Sequence, residues 1–213
     1  IVDTCRISRT WQRPTPKSMA TFGMATDINQ VVQWDILFHR NEMLSHHLDE
    51  AVRLTVASVL PGKTPGQLME AIGNYWIRHY GPMKVLMADG ETGLASEEVA
   101  QWLDRITVEL KIKAPGKHAQ MVERHYELLR RILLWLEAQL AEEGITVPLQ
   151  VVVAEGCLAK NTLTTIVGQT PYRAILGRDP PGLAEFEPTS ETKIEDISVG
   201  ARGSSRHHHR VRE

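Results

Sequence analysis

An aspartate interrupts an apolar run in this chain, Val31-Val32-Gln33-Trp34-Asp35-Ile36-Leu37-Phe38, and a second run, Val85-Leu86-Met87-Ala88-Asp89-Gly90, ends on another. Short apolar runs rich in β-branched and aromatic residues read as strands. A carboxylate inside a buried strand is costly unless it is paired or binds a cation. The pattern therefore asks for a sheet that brings its acids to a common place. A third acid, Glu123, lies near the start of a long helical stretch, Met121-Val122-Glu123-Arg124-His125-Tyr126. Two strand carboxylates and one helix carboxylate make a candidate divalent-metal site, and with it candidate phosphoryl-transfer chemistry. Each acid also has a plainer reading. Asp35 then lies on a solvent face, Asp89-Gly90 forms a turn, and Glu123 is a solvated surface acid.

The rest of the chain supplies an α/β pattern. Strands are expected over 29–39, 43–49 and 52–60, with a turn at 40–42. Thr64-Pro65 starts a helix, a cap residue followed by Pro at the first helical position. Leu68, Ile72, Trp76 and Ile77 give it an apolar face, and Gly81-Pro82 ends it near Tyr80. A short strand over 83–88 delivers Asp89, Ser96-Glu97-Glu98 opens a helix to about 103, and 106–112 alternates with a period of two, as a half-buried strand does. A helix is expected from about 118 to 142 and another at 171–176. The stretch 147–166 is open between strand, for Val151-Val152-Val153, and helix, for its length and Pro148. Strands interleaved with helices in this order predict a mixed sheet of about five strands flanked by helices.

Bulk properties set the limits. With 213 residues, 42% hydrophobic and 23% charged, the chain supports one core domain plus flanking segments. A formal net charge of −2 neither favours nor excludes nucleic acid, so charge has to be read locally. Two cysteines, Cys5 and Cys157, are no disulfide framework and suit a reducing compartment, nuclear or cytoplasmic rather than secreted. No apolar run is long enough for a membrane span and no signal pattern opens the chain. The chain begins with Ile, as a piece of something longer would. Residues 1–20, with Arg13-Pro14-Thr15-Pro16-Lys17, read as an extended connector, and 21–180 as the folded core. Residues 181–213 read as a polar, basic tail, whose His207-His208-His209 look native between Arg206 and Arg210.

On the 118–142 helix, His125, Leu129, Ile132 and Leu136 share a narrow arc that marks the core face. Glu123 falls about 160° from that arc at about 100° per residue, on the polar side with Gln120, Glu127 and Arg130. Residues 111–131 hold six basic side chains against two acidic ones. Lys117, His118, Arg124 and Arg130 are the candidate phosphate contacts; such contacts position rather than specify. The plain reading is a solvated basic face. Ile132-Leu133-Leu134-Trp135-Leu136 is apolar on nearly every side, which predicts burial or a partner, a second copy of the chain among them.

The three acids and their surroundings resemble the integrase catalytic core of retroviruses and long-terminal-repeat retrotransposons. Asp35 falls in the first-strand position of that family's Asp, Asp, Glu triad, and Asp89-Gly90 resembles its second acid. Pro115-Gly116-Lys117-His118-Ala119-Gln120-Met121-Val122-Glu123-Arg124 resembles the loop leading into the catalytic Glu. The step from Asp89 to Glu123 is 34 positions, close to the family's spacing. Lys160-Asn161 and Gly168-Gln169-Thr170-Pro171-Tyr172-Arg173-Ala174-Ile175-Leu176-Gly177 resemble the helical segment that closes such cores, which makes 147–166 helical by resemblance.

The resemblance covers roughly residues 20–180. It implies a ribonuclease H-like fold, double-stranded DNA as partner, a homodimer or higher oligomer, and Asp35, Asp89 and Glu123 as catalytic, metal-binding residues. It implies two Mg²⁺ or Mn²⁺ ions, which stabilise attacking and leaving oxygens symmetrically when ~3.5–4 Å apart. The activity implied is DNA 3′-end processing and strand transfer, with water and then the 3′-hydroxyl as attacker.

Two features depart from the family pattern. Gly90-Glu91 replaces the usual residues after the second acid. Ser8 stands where a zinc module preceding the connector would have its second cysteine, so no zinc is expected in this chain. These departures favour an alternative, a catalytically decayed or repurposed DNA-binding or scaffolding module of the same fold. A hydrolytic nuclease of that fold is a third reading.

Overall fold

The computed structural model describes residues 25–89, 93–113, 120–166 and 168–181. Five strands, β1 (Val31–His39), β2 (Glu42–Asp49), β3 (Thr55–Leu60), β4 (Val85–Asp89) and β5 (Glu109–Lys113), form one sheet in the order β3-β2-β1-β4-β5. β1, β2 and β3 pair antiparallel, whereas β4 pairs parallel with β1 and β5 with β4. The sheet is mixed, as expected, and β1 lies at its centre.

Two of the expected strands start late, for a local reason in each case. The run 52–60 enters the ladder only at Thr55, because the Asp49 carboxylate accepts the backbone N–H groups of Ala51 and Val52 at 2.9 and 2.8 Å. Arg53 then turns through φ 61°. A side-chain acceptor has displaced ladder bonds. The run 106–112 begins as a helix end: the Ile106 N–H bonds back to Leu103 O at 3.1 Å and Thr107 takes φ 60° before β5 opens at Glu109.

Helices cover both faces of the sheet. α1 (Pro65–Ile72) is capped by Thr64 with a reciprocal Gln67 bond and continues through a π-helical turn, Gly73–Ile77, to Arg78–Tyr80. α2 (Glu97–Arg105) is capped by Ser96. Leu68, Ile72 and Trp76 of the first helical stretch, with Val99 and Leu103 of α2, enclose Val32, Trp34, Leu86 and Ala88 from one face. On the opposite face α3 (Gln120–Glu142) and α4 (Leu149–Leu163) bury Leu129, Leu133, Val152 and Val153 against Leu37, Leu44 and Ala57. The two helices approach closely at Gly156, where an added Cβ would stand 2.6 Å from the buried Leu133 Cδ2. α5 (Pro171–Leu176) closes the described chain. The stretch 147–166 is thus largely helical, as the family resemblance implied.

β3 is an edge strand, and unpaired strand edges invite association. α4 covers this one with side-chain amides. Asn161 accepts the Thr55 N–H at 2.9 Å and donates to the Thr55 carbonyl at 2.8 Å, while Gln150 accepts the Val59 N–H at 2.8 Å.

Candidate active site

Alternation along β1 decides which way Asp35 faces. Val32, Trp34 and Ile36 pack on the α1 side. Gln33 reaches the Met121 sulfur of α3 at 3.9 Å and Leu37 joins the cluster of Leu129 and Leu133. Asp35, between Gln33 and Leu37, therefore shares the face that α3 and α4 cover. The same reasoning applies to β4. Leu86 and Ala88 belong to the α1-side core, so Asp89 lies on the α3 side.

The parallel β1–β4 ladder runs from Val31 with Val85 to Trp34 with Ala88. The next position on each strand is Asp35 and Asp89. Parallel pairing puts the two acids side by side on one face, at the end of β4, both half-buried. This is where α/β sheets commonly bind ligands, outside the carboxyl ends of parallel strands. Two neighbouring carboxylates destabilise each other unless a proton or a cation intervenes. Carboxylate oxygens are suitable ligands for Mg²⁺ or Mn²⁺, so the donor chemistry fits the expected ions.

Glu123 occupies the first turn of α3 and is exposed. Its helix passes close to β1 on either side of Asp35: Met121 meets Gln33, and the Tyr126 hydroxyl donates to the Phe38 carbonyl at 2.9 Å. Glu123 thus lies in the stretch of α3 alongside Asp35, on the polar side its helical position predicted. The three carboxylates are not drawn together into one cage; among the described residues no group of three His, Cys, Asp or Glu is arranged to hold a metal ion. Of the expected phosphate contacts, Arg130 is exposed and Arg124 half-buried, whereas Lys117 and His118 lie outside the described residues. The connector at 1–20, with Cys5 and Ser8, and nearly all of the 181–213 tail also lie outside them.

Sequence reasoning missed what lies beneath the acids. The β1–β2 ladder pairs Asp35 with His46, and the β2–β3 ladder pairs His46 with Ala57. Asp89, Asp35, His46 and Ala57 form a row across four strands, leading from half-exposed acids to a fully buried imidazole. Leu44 and Leu48 flank His46 on its strand and pack against Leu129 and Val122 of α3, so His46 faces the turn carrying His125. His125 is buried, as its place on the core arc predicted.

Lys160 of α4 enters the same interior. It is fully buried and donates to Thr55 Oγ1 at 2.5 Å and to the Arg53 carbonyl at 3.5 Å. Burial pushes its amine down to about 7, and burial pushes His125 down to about 3, with Lys160 adding to the effect. His46 is lowered well below its ordinary value by burial first and by the neighbouring Lys160, His47 and His125. The sign that a reader of the sequence had available is the pair His46-His47 inside a strand that is otherwise buried and apolar. A polar ring inside a buried strand is costly without a partner, as a carboxylate is.

No protein-family model and no curated protein matches this sequence. Solved structures do match in fold. The catalytic core domain of BIV integrase aligns with a TM-score of 0.58 at 19% identity, over 70% of this chain and 95% of that one. The HTLV-2 integrase catalytic core domain, solved in complex with magnesium in a dimeric form, aligns at 0.57 and 16% identity over 68% and 94%. A chain of the simian T-cell lymphotropic virus intasome, solved in complex with PP2A regulatory subunit B56 gamma, aligns at 0.64 and 18% identity over 89% and 67%. The fold of this chain is that of retroviral integrase catalytic cores, the ribonuclease H-like mixed sheet flanked by helices.

Proposed function

We propose that this chain is the catalytic core of a retrotransposon integrase, a metal-dependent polynucleotidyl transferase that processes DNA 3′ ends and joins them to target DNA. The observation that carries the reading is the adjacency of Asp35 and Asp89 on one sheet face, beside the helix that bears Glu123, in a fold shared with retroviral integrase cores. Asp35 would hold both of two Mg²⁺ or Mn²⁺ ions, Asp89 one and Glu123 the other. When bound, such ions supply charge stabilisation for the attacking and leaving oxygens of phosphodiester exchange. The protein's own groups do the rest. The sheet fixes the two strand carboxylates, α3 brings Glu123 on a helix turn, and Lys117, His118, Arg124 and Arg130 contact DNA phosphates.

The partners in this reading are double-stranded DNA, at the element's ends and at the target, and a second copy of the chain. The half-buried Ile132, Leu134 and Trp135 around the buried Leu133 support self-association through α3. A nuclear or cytoplasmic site of action follows from the DNA substrate. No described helix is long and apolar enough to cross a membrane.

The test is joining of a labelled element-end oligonucleotide to target DNA in Mg²⁺ or Mn²⁺. Asp35→Asn, Asp89→Asn and Glu123→Gln are each expected to abolish joining, and retention of full activity by any of them would overturn that residue's assignment. Cleavage without joining would favour the hydrolytic nuclease. A second reading, a decayed module that keeps the fold for DNA binding or scaffolding, is favoured by Gly90-Glu91 after the second acid and by Ser8 in the connector. It predicts DNA binding that is insensitive to all three substitutions.

A further inference from the structure

The fully buried imidazole of His46 has no hydrogen-bond partner on either ring nitrogen among the described residues. Its surroundings limit what it can be for. Leu44 and Leu48 flank it on β2, Ala57 lies opposite on β3, and His125 and Lys160 approach from the helices. In either protonation state an imidazole carries at least one N–H donor. Lys160 is already engaged with Thr55 and Arg53. The carboxylate that the β-ladder sets directly opposite His46, on the same face, is Asp35. Directly opposed residues of an antiparallel pair have Cβ atoms about 4.5–5.5 Å apart, so small side-chain rotations bring a ring N–H and a carboxylate oxygen within bonding distance. Asp35 is half-buried, and its Oδ1 accepts the Ile36 N–H at 2.7 Å.

We propose that His46 is a positioning residue for Asp35: its ring N–H holds the inward oxygen of the carboxylate and turns the other oxygen towards the divalent cation. The inference rests on the metal-binding reading above. It adds a residue to that site that neither strand alternation nor the family resemblance supplied. Partners that orient a metal ligand in this way typically change metal affinity by about 10–100-fold when removed. A merely space-filling imidazole makes the opposite prediction. An apolar residue of similar volume then fills the site at no loss, since replacing an unsatisfied polar group in a core does not weaken it.

The experiment is a Mn²⁺ titration of the 213-residue chain, followed by the electron paramagnetic resonance signal of the free ion, with thermal melts alongside. His46→Leu is expected to fold but to melt below the parent, because the bond to Asp35 is lost, and to bind Mn²⁺ about tenfold more weakly. His46→Gln, which keeps an N–H donor, is expected to recover most of that loss. If His46→Leu binds Mn²⁺ as the parent does while Asp35→Asn does not, the positioning role is wrong and the metal site stands. If Asp35→Asn binds as tightly as the parent, or the parent binds nothing, the metal reading itself fails. Should His46→Leu not fold, nitrogen-15 spectra of the parent decide. The His46 ring resonance, assigned by its absence in His46→Gln, is expected to shift on Mg²⁺ addition, and a resonance that stays still overturns the proposal.

Discussion

Asp35 and Asp89 stand at the same level of two parallel strands, one step past the paired Trp34 and Ala88, and on the same face of the sheet. The acids are 54 positions apart in the chain, and only the β1–β4 register makes them neighbours. Like charges set side by side on a sheet repel, by about 0.2–1 kcal/mol in ordinary cross-strand pairs. Asp89→Asn is therefore expected to stabilise the metal-free protein by an amount of that order. Mg²⁺ at millimolar concentration should raise the melting temperature of the parent chain, because a ligand bound only by the native state stabilises it, and should leave Asp89→Asn unmoved. Differential scanning fluorimetry with and without Mg²⁺ checks both halves.

His47, on the opposite face from His46, sits 6.4 Å edge-on from Trp34 and is stacked 5.7 Å from Trp76. Burial pushes its imidazole down to about 3. Between that value and the ordinary 6.5, the unfolded chain binds a proton that the folded chain does not, so stability falls as pH drops through this window. The slope is up to about 1.4 kcal/mol per pH unit for each such histidine. His125 titrates in the same sense, and so does His46. Urea midpoints measured from pH 7 down to 5 should fall steeply for the parent, and less steeply for His47→Phe, which removes one titrating ring while keeping an aromatic between the tryptophans.

Lys160 gives a second pH signature with its own window. Its folded-state value of about 7 lies below the ordinary 10.5, so the unfolded chain again holds the extra proton between these limits. Stability should rise with pH from 7 to 8.5, by up to about 1.4 kcal/mol per unit. Above that range Cys157, pushed up to about 11 by burial, begins to work in the opposite direction. Lys160→Met is expected to flatten the rise between pH 7 and 8.5 in chemical denaturation, and a slope equal to the parent's would show that the amine is not neutralised by folding.

Asn161 imitates a neighbouring strand for Thr55, accepting its N–H and donating to its carbonyl. Replacement by Leu strands a buried donor and a buried acceptor at once. Each unsatisfied group costs about 1–3 kcal/mol, so Asn161→Leu is expected to lower stability by roughly 2–6 kcal/mol in guanidinium unfolding. Because it uncovers the edge of β3, the variant should also aggregate more readily, which light scattering reads directly.

Much of this architecture was legible locally. The Thr64-Pro65 cap, the period of the first helix and the apolar runs of β1 and β4 depend on neighbours a few residues away, and the sequence contains those neighbours. The strand starts at 52 and 106 misled because the same residues serve two patterns. Val52 to Leu54 are apolar enough for a strand but are held in a turn by the Asp49 carboxylate, and Ile106 belongs to the end of α2. Periodicity alone puts Glu123 on the polar side of its helix, and the residue is exposed.

By itself the sequence determined the kinds of element, their order, and the presence of acids in strands where an acid is costly. Tertiary structure decided which of those groups are neighbours. Parallel pairing through the crossover that contains α1 set Asp89 beside Asp35, and the β1–β2 hairpin set His46 on its other side. The packing of α3 and α4 then buried His46, His125 and Lys160 in one interior. The physical reason is that side-chain direction follows from local alternation, whereas register and the choice of covering helix come from minimising exposed apolar surface over the whole domain. A one-residue slip of β4 would leave every local pattern intact and turn Asp89 to the other face of the sheet.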